Sequence, residues 1–250
     1  MSRAWAAAVA ASAHVYVPEL SDILELDGDD AHHLSRVLRL RGGEVVTAAD
    51  GAGRWRPYVV TAGARLEATG QEQREPELQP RLAVAFALTK GDKPELAVQK
   101  LTELGVDRIL PVLAERSIAR PEPARAATQI QRWRRVAREA GRQCRRARLP
   151  EVAELAPLAS LAGHPGLMVA ERGGAAPSAP EAGIAEVLVV VGPEGGLTDA
   201  ELELLTPAVR LGLGPHILRA ETAAVAAGAV LAVLRGNHPP PAGANARERG

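Results

Sequence analysis

A buried strand runs into a glycine-rich turn in the segment Val190-Val191-Gly192-Pro193-Glu194-Gly195-Gly196-Leu197-Thr198. The residues from Thr198 to Glu201 have the capping-box pattern, so a helix is predicted to begin at Asp199 with its free amides facing the loop. The turn glycines let a flat ligand approach the main chain closely. The loop is therefore a candidate ligand site. A plain strand-to-helix turn is the alternative, because the spacing fits neither the dinucleotide fingerprint nor the P-loop.

A second glycine-bearing segment follows and reads Leu211-Gly212-Leu213-Gly214-Pro215-His216-Ile217-Leu218-Arg219-Ala220-Glu221-Thr222-Ala223. The two segments together resemble the knot loops of the SPOUT methyltransferases, and in detail those of the bacterial enzymes that methylate N3 of a uridine in 16S ribosomal RNA. Further stretches resemble the same family in the same order: His33-Leu34 with Val37-Leu38-Arg39 and Gly42, Lys100 to Val106, Ala114-Glu115-Arg116-Ser117, and Glu139-Ala140 with Gln143 and Arg146. The matches run from about His14 to Arg235.

Two domains are expected, separated near Gln71 to Pro80 by a polar, proline-bearing stretch typical of a linker. Before it, strand-like runs over Glu44 to Ala49 and Trp55 to Val60 suggest a small barrel, and Ala31 to Leu40 has a helical pattern. After it, apolar runs alternate with helical ones, which indicates an α/β domain with a parallel sheet. The predicted strands are Leu82 to Leu88, Arg108 to Val112, Leu167 to Ala170 and Val187 to Val191. The predicted helices are Pro94 to Leu104, Ala124 to Ala147, Asp199 to Leu205 and Thr222 to Leu234.

The resemblance makes this organisation more specific. It implies a PUA-like RNA-binding β-barrel over residues 14–75 and a SPOUT methyltransferase domain with a deep trefoil knot over residues 76–235. Residues 1–13 are then an extension and residues 236–250 a disordered tail. The resemblance also implies a homodimer. The alanine-rich start faintly resembles a signal peptide, but an extension is preferred.

Composition excludes some classes of protein. The chain has 250 residues, with Lys+Arg and Asp+Glu both at 30, so RNA affinity must come from local patches. The single Cys144 suits a reducing compartment and therefore the cytoplasm. The histidines have no zinc spacing, so no metal is expected. No apolar run approaches the length needed to span a bilayer, so no membrane partner is expected either.

An arginine-rich predicted helix is the candidate RNA surface. Arg135, Arg138, Arg142 and Arg146 are spaced by three and four residues, so they would share one helical face and repel one another without a counter-anion. A phosphate backbone would supply that anion. A solvated face is the alternative. The predicted RNA-binding set adds four residues outside this helix: Arg36, Arg39, Lys93 and Arg116. Lys93 is one of only three lysines, Lys90, Lys93 and Lys100.

The resemblance implies S-adenosyl-L-methionine as the cofactor and places its site on the two glycine segments. The predicted cofactor-binding residues are Gly192, Pro193, Glu194, Gly195, Gly196, Leu211, Gly212, Ile217, Leu218, Arg219, Thr222 and Ala223. The catalytic candidates are Arg219, Glu194 and Glu221, with the proton acceptor unassigned; simple capping of a helix start is the alternative for Arg219 and Glu221.

The expected function is an adenosylmethionine-dependent methyltransferase acting on N3 of a uridine in 16S ribosomal RNA, within the small ribosomal subunit. One alternative is a catalytically silent RNA-binding or ribosome-assembly protein with the same fold. A glycine-loop nucleotide hydrolase is disfavoured, because the phosphate lysine and magnesium-binding hydroxyl of a P-loop are absent.

Overall fold

The structure, a computed structural model, describes residues 11–26, 40–61 and 65–236. The predicted helix over Ala31 to Leu40 falls almost wholly outside these ranges. So do both ends of the chain, with the predicted extension and tail. The described part divides into two sheets, one formed by the first third of the chain and one by the rest. No helix in the described ranges is long and apolar enough to cross a bilayer.

The first sheet has six strands in the order β1-β3-β4-β5-β2, with β6 pairing β4. The strands are β1 (Ala13–Tyr16), β2 (Ile23–Glu25), β3 (Val45–Ala49), β4 (Arg54–Val60), β5 (Arg65–Ala68) and β6 (Gln73–Arg74). The two predicted strand-like runs form the antiparallel pair β3 and β4, and Asp50 Oδ1 accepts hydrogen bonds from the amides of Ala52 and Arg54 across the turn between them. Closure of this sheet into a barrel stays a prediction.

The expected linker is wrong in part. Gln73 and Arg74 pair with Trp55 and Arg54, so this piece of the polar stretch is a strand of the first sheet. Its polar composition reflects an exposed edge rather than a free connection.

The second sheet is entirely parallel, as predicted, in the order β10-β8-β7-β12-β11-β13 with β9 beside β8. Its strands are β7 (Arg81–Ala87), β8 (Arg108–Leu113), β9 (Glu151–Val152), β10 (Ala156–Pro157), β11 (Leu167–Ala175), β12 (Glu186–Val191) and β13 (Val209–Leu211). The helices are α1 (Lys93–Glu103), α2 (Pro123–Cys144), α3 (Asp199–Leu204) and α4 (Ala220–Gly236), with a 3-10 turn at Leu158–Leu161.

The continuous apolar strands are explained by burial on both faces of the second sheet. One face packs against α1, α2 and α4 through a core that includes Leu101, Trp133 and Leu231. The other face packs against the 3-10 turn and the end of α3 through Leu158 and Leu205. Helices on both sides leave the carboxyl edge of the sheet open for a ligand, the usual place in such folds.

Candidate functional site

A pocket of about 280 Å³ lies at the carboxyl ends of β11, β12 and β13. These neighbouring strands are parallel, so the loops that follow them meet at one edge. The two glycine segments picked out in the sequence line the pocket from opposite sides. The lining residues are Val169, Ala170, Glu171, Arg172, Val191, Gly192, Pro193, Glu194, Gly196, Leu197, Leu202, Leu213, Gly214, His216, Ile217, Leu218, Ala220 and Ala223.

The loop after β12 folds as its sequence predicts. Thr198 Oγ1 accepts a hydrogen bond from the Glu201 amide at 3.3 Å, and Glu201 Oε2 accepts one from the Thr198 amide at 2.9 Å. This capping box begins α3 at Asp199 and confirms the predicted start. Gly196 has φ +72°, in the left-handed region that favours glycine. The loop therefore turns sharply at the pocket wall.

Several predicted cofactor residues lie in the pocket lining: Gly192, Pro193, Glu194, Gly196, Ile217, Leu218 and Ala223. Others lie outside the lining that the described residues form: Gly195, Leu211, Gly212, Arg219 and Thr222. Sequence reasoning missed the contribution of β11, most notably Glu171 and Arg172. The apolar run before them was a usable signal, because a parallel strand points its carboxyl end at the same edge as its neighbours.

Gly212 is required by a close approach of two chain segments. A Cβ at this position would stand 2.6 Å from the carbonyl oxygen of Gly174, and a Cβ at Gly174 would stand 2.7 Å from the Gly212 nitrogen. The Gly212 amide also donates to the Ala175 carbonyl at 2.8 Å. The chain just after β13 thus lies beside the end of β11 at backbone contact, where any side chain would force the two segments apart.

The loop after β8 holds the loop after β12 in place. Arg116 Nη1 donates to the Gly195 carbonyl at 2.9 Å, and the Glu115 amide donates to Glu201 Oε1 at 2.7 Å. Thr198 Oγ1 donates to Glu115 Oε2 at 3.1 Å. Gly195 thus faces the Arg116 side chain, whose Cδ would lie 3.5 Å from a Cβ there. In this structure Arg116, predicted to bind RNA, supports the back of the pocket loop.

A charged cluster stands beside the pocket. Lys93, at the start of α1, donates to Glu194 Oε1 at 2.8 Å and lies 3.8 Å from Glu221 Oε2, in the first turn of α4. The hydrogen bond to Glu194 raises the pKa of Lys93. The bond from Lys93, followed by one from a backbone amide, lowers the pKa of Glu194. The structure therefore brings the catalytic candidates Glu194 and Glu221 to one lysine, while Arg219, just before α4, is exposed.

The predicted arginine face is largely used inside the protein. Helix α2 ends at Cys144 because Arg145 takes a left-handed φ of 59°, so Arg146 does not continue the face as expected. Arg138 donates to the Tyr16 carbonyl at 2.8 Å, and Arg142 to Glu139 at 2.7 Å. Arg142 thus has the Glu139 carboxylate as a counter-anion and Arg138 has a carbonyl acceptor, and RNA binding by this face stays a prediction.

Arg146 lies at the junction of the two sheets. Its side chain is only 13% exposed and donates to the carbonyls of Thr102 and Val106 at 2.8 and 2.9 Å. Its own carbonyl accepts from the Tyr16 hydroxyl at 2.6 Å. Burial lowers the pKa of Arg146, and Asp107 partly offsets this. Arg135, by contrast, is exposed on α2 and remains available to a phosphate.

Arg36 and Arg39 lie outside the described residues, as does the motif around His33. Within the described ranges, no group of three or more histidine, cysteine or acidic residues could hold a metal ion. Cys144 is half-buried and its pKa is raised by burial, which is typical of a structural thiol.

Comparison with known proteins identifies the family. A model of an RNA methyltransferase domain matches residues 76–232, and one of an RNA methyltransferase PUA domain matches residues 26–72. The ribosomal RNA small subunit methyltransferase E of Mycobacterium tuberculosis is 37% identical over 232 residues, 86% of this chain and 88% of that protein. The protein of the same name from Bacillus subtilis is 30% identical over 230 residues, 82% of this chain and 88% of its own.

A solved structure agrees with these relatives. The ribosomal RNA small subunit methyltransferase E from Neisseria gonorrhoeae, crystallised bound to S-adenosyl methionine, matches with a TM-score of 0.77 at 29% identity, over 89% of this chain and 97% of that one. The resemblance inferred from the two glycine segments is thereby confirmed. The chain belongs to the family of ribosomal RNA small subunit methyltransferase E proteins.

Proposed function

We propose that this protein transfers a methyl group from S-adenosyl-L-methionine to N3 of a uridine in 16S ribosomal RNA of the small subunit. The observation that carries the proposal is the pocket between the two glycine segments, at the carboxyl edge of the parallel sheet. Its volume is near the lower end for small-molecule sites. Two further findings support the proposal: relatives named ribosomal RNA small subunit methyltransferase E, and a relative whose structure was solved with S-adenosyl methionine bound.

The residues present fit this cofactor. Main-chain groups around Gly192, Gly196 and Leu218 would hold adenine and ribose, which explains the lack of bulky side chains there. Glu194 and Glu171 line the same pocket and would face the positive charge of the cofactor. The cofactor supplies an activated methyl group, so the protein mainly aligns it with the target nitrogen and excludes water.

Arg219 is proposed to stabilise negative charge on the uracil as N3 loses its proton, or to hold the target phosphate. Its guanidinium stays protonated at any working pH, so it cannot be the base. Its positive charge contributes, after larger causes, to the pKa of both Lys93 and Glu194, and this supports a role beside the charged cluster. The carboxylates of Glu194 and Glu221 are the candidate proton acceptors.

RNA is proposed to cross the face that carries Lys93, Arg116 and the exposed Arg135, together with the N-terminal domain and its Arg36 and Arg39. The roles of Arg138, Arg142 and Arg146 in RNA binding stay predictions. Their contacts within the protein favour a structural part for them, because a guanidinium bound to carbonyls must leave those acceptors before it meets a phosphate. The proposed domains are residues 14–75 and 76–235, with the two sheets ending at Arg74 and beginning at Arg81.

A deep trefoil knot and a homodimer are part of the proposal. The knot follows from the resemblance of the two glycine segments to knot loops, and the backbone contact of Gly174 with Gly212 shows that the segment after β13 packs against β11. Helix α4 supports the dimer, because its sequence is apolar on nearly every side while Val233 is 64% exposed. A helix that is hydrophobic all round is normally buried, so a second copy of the chain would cover the outer side. The proposed location is the cytoplasm.

Mapping the methylated base tests the function. Ribosomal RNA from a strain that lacks the gene should contain an unmodified uridine at one 16S position, and the purified protein with adenosylmethionine should convert it to the N3-methyl form. Calorimetric measurement of adenosylmethionine binding distinguishes the methyltransferase from a catalytically silent RNA-binding protein, since the silent protein needs no cofactor. Absence of both cofactor binding and N3 methylation would favour that alternative.

A further inference from the structure

We propose that Glu221 is the group that accepts the N3 proton of the uracil. The ammonium of Lys93 compensates the negative charge as it passes from Glu221 to the uracil. This inference rests on the proposed function and assigns the step that it leaves open. The uracil N3–H is a weak acid, so a base must take the proton before or while the nitrogen lone pair attacks the methyl carbon.

The charged cluster leaves few candidates for that base. Lys93 carries its proton firmly, because the hydrogen bond to Glu194 raises its pKa, and Arg219 is a permanent cation. Glu194 is a poor acceptor, because the 2.8 Å bond from Lys93 stabilises its ionised form and lowers its pKa. Among the charged residues of this cluster, Glu221 is the carboxylate that remains.

The geometry of Glu221 suits a proton acceptor. Its side chain is only 12% exposed, and its buried Oε2 accepts no hydrogen bond from the described residues. Because Oε2 is fully buried, the carboxylate must rotate toward the pocket to take a proton, and this oxygen has no hydrogen bond to lose in doing so. Glu221 is outside the pocket lining, but its neighbours in α4, Ala220 and Ala223, belong to it, so the carboxylate lies at the edge of the pocket.

Lys93 gives the transfer its electrostatic balance. Its ammonium lies between the carboxylates of Glu194 and Glu221, at 2.8 and 3.8 Å. When Glu221 takes the proton, one negative charge leaves the cluster and another forms on the uracil. The flexible lysine can turn toward the new charge with a small movement of its side chain.

The step balances. The N3–H bond breaks and its proton moves to Glu221 Oε2. The N3 lone pair forms a bond to the methyl carbon, and the carbon–sulfur bond breaks with its electron pair left on sulfur. The products are N3-methyluridine, neutral S-adenosylhomocysteine and a protonated Glu221, which then loses its proton to water.

Single-turnover methylation with saturating cofactor and unmodified small-subunit RNA tests the assignment. Glu221→Gln keeps the shape of the side chain but cannot take a proton, so the rate at pH 7 should fall by roughly a hundredfold or more. Glu103→Gln, which removes the carboxylate that pairs with Lys100 on α1 away from the pocket, is the control, and its rate should stay within about twofold of wild type. Equal losses in the two variants would overturn the assignment.

A substrate whose N3 is more acidic separates proton transfer from structural damage. Fluorine at C5 of the target uridine withdraws electrons and lowers the pKa of N3, so the base is needed less. RNA with 5-fluorouridine at the target should restore much of the Glu221→Gln rate relative to wild type on the same RNA. If the Glu221→Gln deficit is the same on both RNAs, Glu221 is not the proton acceptor.

Two controls distinguish a misfolded variant and a wrong proposed function from a wrong role for Glu221. If Glu221→Gln does not fold, the comparison uses Glu221→Asp, whose shorter carboxylate should lower the rate on uridine and recover on 5-fluorouridine; the same deficit on both substrates overturns the assignment. Failure of the wild-type protein to form any N3-methyluridine would contradict the proposed function itself. A wild-type protein that methylates N3 beside an unaffected Glu221→Gln variant would contradict only the role of Glu221.

Discussion

The proposed cofactor pocket and helix α2 differ in the groups that they offer to a ligand. The pocket offers mainly backbone, whereas α2 offers long charged side chains. The pocket is lined mostly by glycines and apolar residues, and the charges of the cluster beside it come from three separate segments. On α2 the arginines are close in sequence, yet Arg138 and Arg142 reach acceptors within the protein. A site made of backbone can be recognised locally, whereas the use of a charge depends on neighbours from distant segments.

The largest expected effect is on the pocket side of this comparison. Arg219→Ala should lower the single-turnover methylation rate by roughly a hundredfold or more, because a charge-stabilising donor is lost in the transition state. Binding of adenosylmethionine, measured by calorimetry, should change far less. A variant that runs near the wild-type rate would remove Arg219 from the chemistry.

For the arginines of α2 and the residues just after it, substitution of a buried arginine and of an exposed arginine should have different effects. Arg146→Ala should lower the free energy of unfolding by about 3 kcal/mol, because the buried carbonyls of Thr102 and Val106 each lose a charged hydrogen-bond donor and Asp107 loses an ion-pair partner. Denaturant titration measures this. Arg135→Ala is the matched control: its stability should change little, and its RNA affinity and salt slope should fall. Similar losses of stability in both variants would contradict the assignment of a structural role to Arg146 and of a surface role to Arg135.

How much of this was predictable from the sequence follows from the same contrast. The long apolar strands and the capping box at Thr198 carry local patterns, so the parallel sheet and the start of α3 were predicted. Strand β13 was missed, because three residues have no periodicity and pair only with β11. Glu171 was missed because β11 runs on past Ala170 through an irregular pairing. The partners of Arg146 come from α1, β1 and the loop before β8, which no local pattern announces.

The contact between the two sheets should also respond to acid. The pKa of His14 is lowered from 6.5 to about 4, mainly by burial; a hydrogen bond to the Arg146 carbonyl partly opposes the shift, and the charges of Arg145 and Arg142 add to it. The folded protein therefore resists protonation that the unfolded chain accepts, so stability is lost as pH falls below about 6.5. At pH 5 the loss from this group should be about 2 kcal/mol. His14→Gln should lose less stability than wild type between pH 7 and 5; an equal loss would exclude His14 as the cause.

The smallest expected effect is at Arg116, an arginine that contacts the pocket loop from behind. Arg116→Ala removes the hydrogen bond to the Gly195 carbonyl and should weaken adenosylmethionine binding by about tenfold, the worth of one charged hydrogen bond. Calorimetry measures it, with Arg120→Ala as a control that also removes bonds to carbonyls of the same loop but does not touch Gly195. If Arg116→Ala binds the cofactor as wild type does while RNA affinity falls, Arg116 belongs to the RNA surface as the sequence suggested.

The most direct measurement is a crystal structure of this protein grown with S-adenosylmethionine. The cofactor should lie between the loop from Gly192 to Leu197 and the loop from Leu213 to Leu218, with its methyl group toward the side of Lys93 and Glu221. Its adenine should be held by main-chain groups. A cofactor bound elsewhere, or a protein that takes up none at millimolar concentration, would contradict the central claim that these two glycine segments form the cofactor site.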